Sequence, residues 1–297
     1  MKKTILRIWK PLAAVIFWGA SFIATKNLLL EVSPLAVIYL RLMLGILFIT
    51  AVAKKRKRSF SINPTDLKGV FVLALIASFH LWIQVTGLQY TTAANTGWII
   101  GLAPVFMAIL GFLFFKEKIN LVQTLGIVIA FSGLLMLISK GDLSSIDLIS
   151  NKGDLMILTS AFTWSVYSLV GKKVTLNYPP IMTILYLFIM MLIIVSPFTI
   201  NSNNFNDVIN LSLKGWLSIF FLGILCSGLS YVIWAEAMNE MPASKVGAFL
   251  YLEPFVTVFT AWLLLSEKIT LLMMISGLII IGGVVLVNKK SGKDKYE

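Results

Sequence analysis

The sequence predicts an all-α integral membrane protein, with ten transmembrane helices arranged as two inverted five-helix repeats. Three observations carry that expectation: an apolar composition, a succession of long apolar stretches, and an internal repeat. Of the 297 residues 58% are hydrophobic and 13% charged, with a mean hydropathy of +0.91, whereas soluble domains carry roughly 25% charge. A run of about 20 apolar residues at 1.5 Å each crosses a ~30 Å hydrocarbon layer. Ten such stretches occur, at 8–30, 34–53, 67–88, 92–115, 121–139, 153–171, 179–200, 214–238, 242–265 and 271–288.

Taken in order, helix 1 follows a basic start and lacks a small-residue cleavage site, which separates it from a signal peptide. Helix 2 opens on Pro34 and ends at the basic segment KKRKRSFSINPTDLK. Helix 3 holds His80, the sole histidine, with Gln84 one turn further on the same face. In helix 4, Ala93, Gly97 and Gly101 recur every four residues, spacing that lets a neighbouring helix approach closely and suits packing or a hinge. Helix 5 completes a first repeat over residues 1–140, and 141–152 form an external linker. The second repeat, 153–297, runs from helix 6 to a basic tail. Within it, loop 201–213 is longer than the others, Cys226 in helix 8 reads as a small packing residue, and Glu236 and Asn239 at the end of helix 8 are expected to be exposed.

Net charge is +12, but its distribution matters more than its sum. With a cytoplasmic N-terminus, nineteen of the 25 basic residues fall on inner segments, among them Lys54–Arg58, Lys172, Lys173, Lys245 and four in the tail. Five fall outside, at Lys26, Lys140, Lys152, Lys214 and Lys268, and Arg41 lies within helix 2. The positive-inside rule therefore puts both termini in the cytoplasm, and a basic rim facing lipid headgroups accounts for the charge without a nucleic-acid partner.

A shift of 150 residues aligns Gly97, Pro104, Glu117, Lys118 and Ile119 with Gly247, Pro254, Glu267, Lys268 and Ile269. A shift of 146 aligns Trp18, Lys26 and Pro34 with Trp164, Lys172 and Pro180. Five helices per copy make the second copy enter the membrane from the opposite side, the design of secondary transporters that bind substrate near the midplane. The two repeat ends, LAPVFMAILGFLFFKEKI and LEPFVTVFTAWLLLSEKI, resemble those of the EamA group of the drug/metabolite transporter superfamily. That resemblance covers nearly the whole chain. It implies ten helices, cytoplasmic termini and a central cavity, in a group whose members export amino acids and other metabolites.

Few groups at membrane depth carry chemistry, and each unpaired charge there costs about 2.5–3.5 kcal/mol on insertion scales. Glu253 lies roughly 17 Å into helix 9 and Arg41 roughly 10 Å into helix 2. Three readings stand for them: a mutual ion pair, contact with substrate or a coupling ion, or unrelated local partners. Pro254 crowds the Leu250 carbonyl and Pro104 that of Ile100, so kinks on the two repeats are expected to shape a polar notch. His80 is either a hydrogen-bonded packing residue or a proton carrier. Trp98, Trp18, Trp164 and Tyr167 lie inside their helices, where aromatic faces line a core or accept an amphipathic or cationic ligand. Tyr167, Tyr231 and Tyr251 are weaker candidates of the same kind. Glu117 and Glu267 read as solvated helix-end groups beside lysines, with gating as the alternative.

No G-x-x-x-x-G-K-[ST] loop binds nucleotide, no zinc set can form around one histidine and one cysteine, and no G-x-S-x-G elbow is present. The expectation is a cofactor-free secondary transporter of the inner membrane that exports small metabolites, amino acids foremost, with protons as a candidate coupling ion and membrane lipid around it. An uptake carrier for sugars, nucleosides or S-adenosylmethionine-like compounds is the alternative, ahead of a membrane enzyme or a non-transporting structural protein. Oligomeric state is open.

Overall fold

A computed structural model of the chain describes residues 2–117, 119–139, 151–174, 178–199, 202–265 and 270–288. The described residues are helical throughout their ordered elements, with no strand among them. Among the described residues, seven helical runs are long and apolar enough to cross a membrane: Ile8–Leu28, Pro34–Lys55, Pro64–Tyr90, Ala93–Phe115, Pro180–Thr199, Leu213–Glu240 and Ala243–Leu264. Leu121–Met136 and Met274–Asn288 are shorter apolar helices. Residues 141–150 of the linker, Lys118, Glu267, Lys268, Ile269 and the basic tail lie outside the described residues.

Helices start where the sequence offers caps. Ser33 and Asn63 accept backbone N–H bonds ahead of α2 (Pro34–Lys55) and α3 (Pro64–Tyr90), each with proline in the first turn, where its missing N–H costs nothing. Thr92 caps α4 (Ala93–Ile100). Asn120 and Gln123 form a reciprocal capping box at α6 (Leu121–Ile138). The first helix, α1 (Lys2–Leu28), carries Pro11 inside it and buries Ala14, Val15 and Trp18 in the bundle.

Three of the expected helices are interrupted, two of them beside the prolines expected to kink them. The fourth stretch breaks at Gly101 and Leu102, and α5 (Ala103–Phe115) resumes with Pro104 in its first turn. The ninth becomes α12 (Ala243–Gly247), a 3₁₀ segment at Ala248–Leu252, and α13 (Glu253–Leu265), which starts immediately before Pro254. In the eighth, α10 (Leu213–Phe220) and α11 (Ser230–Glu240) flank a π-helix at Phe221–Leu229. Apolar pattern alone does not reveal that wider turn. Loop 201–213 contains a short helix, α9 (Ser202–Ile209).

Helix pairing follows an exchange. The helix α3 lies along α7 (Lys152–Val174), and α1 lies along the run from α10 to α11; α13 packs on α1 as α5 packs on α7; α2 faces α8 (Pro180–Thr199), and α6 faces α14 (Leu271–Asn288). The exchange reaches single residues. A Cβ on Gly97 would lie 3.1 Å from Thr257 Oγ1, and one on Gly247 would lie 3.0 Å from Met107 Sδ, the same pair displaced by 150. Between α6 and α14, Gly283 comes against Ala130 and Gly133 against Ile280 by the same displacement. Small residues at these crossings let backbones touch, which is how helices gain packing energy in lipid, where apolar burial drives little. Phe112, Leu113, Phe114, Leu263 and Leu264 turn outward, more than half exposed, as apolar side chains facing hydrocarbon do.

Candidate functional site

The interruptions and the ionisable groups meet at one place. A cavity between the helices is lined by Trp18, Ser21 and Phe22 of α1, Arg41 of α2, and His80 and Gln84 of α3. Ile100 of α4, Trp164 of α7 and Tyr231 of α11 continue the wall, with Leu250 and Glu253 from the broken ninth helix. Ile100 and Leu250 stand one turn before Pro104 and Pro254, so both breaks open onto the cavity. Its volume is about 30 Å³, which holds water and no metabolite.

The two opposite charges are handled differently. Arg41 is 4% exposed and donates from Nε to Ser227 Oγ at 2.9 Å, a hydroxyl presented by the π-helix. Glu253 is 3% exposed, and among the described residues nothing hydrogen-bonds its carboxylate. No ion pair joins Arg41 to Glu253; the described ion pairs involve Lys10, Arg56 and Lys172. Of the three readings open for these charges, the mutual pair is therefore not formed in this conformation, and Arg41 has a local partner in Ser227. A buried carboxylate facing a cavity without a protein partner is expensive at membrane depth, and such groups mark ligand or ion sites.

His80 is anchored rather than free. Its Nδ1 lies 3.0 Å from the Ser160 carbonyl oxygen, which can only accept, so the geometry places the proton on Nδ1. The His80 ring sits 5.2 Å from Trp164. Trp164 is the hub of an aromatic layer: it meets Trp18 edge to face at 4.8 Å, Tyr167 at 5.1 Å, Tyr231 at 5.6 Å and Trp234 at 5.8 Å between ring centroids. Trp18 Nε1 donates to the Cys226 carbonyl at 2.9 Å, again within the π-helix. Ser165 Oγ donates to the Ala103 carbonyl at 3.1 Å and so ties α7 to the residue before Pro104.

Of the residues singled out by sequence, Trp18, Arg41, His80, Gln84, Trp164, Tyr231 and Glu253 surround the cavity. Tyr167 stands one layer away against Trp164, and Trp98 packs partly buried on the core, away from the lining. Gly97 serves close packing against Thr257, and Gly101 ends α4 with Leu134 against it. Ser21, Phe22 and Ser227 were not foreseen. Ser21 follows Trp18 by three residues, a spacing that signals a shared face, but Ser227 is brought in by the π-turn alone. Glu117, expected to be solvated, has a side chain only 11% exposed and pairs with Lys172 at 3.2 Å. Glu236 is likewise engaged, by Lys10 at 2.9 Å and Arg56 at 3.6 Å.

The profile of the EamA-like transporter family matches the chain twice, over residues 7–139 and 151–289. The chain belongs to the EamA-like transporter family. Relatives of this EamA protein include an "Uncharacterized transporter" of Archaeoglobus fulgidus, 29% identical over 93% of this chain and 95% of its own length. "Uncharacterized transporter YyaM" of Bacillus subtilis is 30% identical over 94% of both chains. A chain solved by crystallography, 16% identical, superposes with a TM-score of 0.72 over 96% of each chain, a likeness of fold alone. Family and relatives thus identify a multi-pass membrane transporter, and the double match falls on the two halves whose helices exchange contacts.

Proposed function

We propose that this EamA protein is a secondary transporter that exports small zwitterionic metabolites, amino acids foremost, across the cytoplasmic membrane by alternating access. One observation carries the reading: Arg41 and Glu253, from opposite halves of the chain, face the same small cavity without pairing with each other. A guanidinium suits a carboxylate. An unpartnered carboxylate beside the edges and faces of Trp18, Trp164 and Tyr231 suits an ammonium group. Ten crossings in two inverted five-helix units, with both termini cytoplasmic, complete the proposal. It is supported by the double family match, the exchange of contacts under the 150-residue displacement and the asymmetry of basic residues.

At about 30 Å³ the cavity is too small for such cargo, so the halves must rock apart to admit it and again to release it. Glu253 is the group placed to carry a proton or exchange it for the substrate's charge. The test is purified protein in liposomes, with efflux of labelled amino acids measured with and without a pH gradient and compared with E253Q. Saturable flux reduced by E253Q supports the reading. Unchanged flux in E253Q and R41Q removes the charged cavity from the mechanism, and absence of flux for every amino acid moves the substrate elsewhere.

A further inference from the structure

Below the central cavity the route toward the basic end of the bundle is closed twice. The first closure is the aromatic layer. Beneath it a void of about 10 Å³ is lined by Leu73, Tyr167, Ser168, Lys172, Trp234 and Met238. Tyr167 and Trp234 thus form its roof while contributing to the layer above, and Lys172 forms its floor. The second closure lies at Lys172.

There Glu117 gathers three segments. Its carboxylate accepts from the Ala243 backbone N–H at 2.7 Å, the Ser244 N–H at 3.1 Å, Ser244 Oγ at 3.0 Å and Lys172 Nζ at 3.2 Å. Lys172 Nζ also donates to the Met241 carbonyl at 3.4 Å. Local backbone aims the side chain: Lys116 takes the left-handed conformation, φ 52°, that ends α5, and Gly111 leaves room, since a Cβ there would lie 3.2 Å from Glu117 Oε2. Helices α5 and α12, which the carboxylate joins, are continuations of the two broken helices whose breaks line the cavity.

We propose that Glu117 is the positioning residue that latches the inner mouth of the transport path, and that its release from α12 and Lys172 is required for inward opening. The inference rests on the transport reading above. Lys26 and Lys172, displaced by 146, donate respectively to the Thr91 and Met241 carbonyls, displaced by 150. The two lysines therefore hold equivalent places in the two repeats, and at Lys172 the Glu117 carboxylate completes the lock.

The test uses Gly171, beside Lys172 in the wall of the lower void, where an added Cβ meets only Leu73 side-chain atoms at 3.8 and 3.9 Å. In full-length protein carrying C226S and G171C, the labelling rate by a membrane-impermeant maleimide is measured separately from each face of the membrane. E117Q is expected to raise labelling from the cytoplasmic face about tenfold, the loss of a charge-assisted hydrogen-bond set. S244A should raise it about threefold, since one donor is lost. E117D should restore slow labelling. The exchange K172E with E117K should not, because an ammonium cannot accept from the Ala243 and Ser244 amides. Equal rates in the parent, E117Q and S244A proteins overturn the latch, as does a rise confined to the opposite face. Labelling needs no substrate, so a failed latch is distinguishable from a failed assignment of cargo.

Discussion

Trp18 and Trp164, equivalent positions of the two repeats, meet edge to face with ring centroids 4.8 Å apart. Each copy thus supplies one indole to the floor of the cavity. The Trp18 indole is fixed by its bond to the Cys226 carbonyl, while Trp164 is held by rings on every side.

Truncating the hub is expected to cost both stability and transport. W164A removes five ring contacts from a residue 6% exposed, a change worth about 3–5 kcal/mol in protein cores. Thermal unfolding in detergent should fall steeply for W164A and modestly for W164F, with flux following the same order.

The Ser227 hydroxyl holds Arg41 in place, so S227A should weaken substrate binding without abolishing it. A single hydrogen bond to a charged group is worth about 1.5 kcal/mol or more, which predicts a KM about tenfold higher at similar maximal rate. Flux saturation curves decide the matter, and a fall in maximal rate with unchanged KM would argue against a positioning role for Ser227.

Adjacent glycines in α14 should respond oppositely. A Cβ on Gly283 would sit 2.5 Å from the Ala130 backbone nitrogen, whereas Gly282 has nothing within 4 Å. G283A must push α6 and α14 apart and is expected to destabilise by more than 2 kcal/mol. G282A should be neutral, or up to about 1 kcal/mol stabilising through helix propensity. Paired melting curves of the two variants measure the difference.

Glu117 predicts an acid limb of stability. Burial pushes its carboxyl up, but the Ala243 and Ser244 amides and Lys172 outweigh that and leave it below the usual value of 4.5. A folded pKa below the unfolded one stabilises the fold above pH 4.5, and that contribution is lost as pH falls through the folded value. Thermal stability measured from pH 6 downward should therefore drop on the acid side, and E117Q should be less stable at pH 6 and flatter below it.

Much of the candidate site was legible because the signals are local. A lone glutamate before a proline in an apolar run, an arginine in another, and tryptophans at repeat-related positions stand out without knowledge of their neighbours. Trp98 shows the limit: the same local signal, an interior tryptophan, attaches to a side chain that packs on the core away from the cavity. Glu117 shows it in the other direction, since its neighbours in sequence are lysines but its partners lie 55 to 127 residues away.

By itself the sequence determined the all-α membrane class, the helix-forming stretches and the internal repeat. Hydropathy and the proline and glycine positions are properties of single segments in contact with lipid. Only the tertiary structure decided that Arg41 bonds Ser227 instead of Glu253, that residues 221–229 widen into a π-helix, and that Glu117 joins α5, α7 and α12. Partners of that kind depend on which helices pack together and at what depth. In lipid, that choice rests on close backbone contact and on hydrogen bonds between distant segments, neither of which hydropathy records.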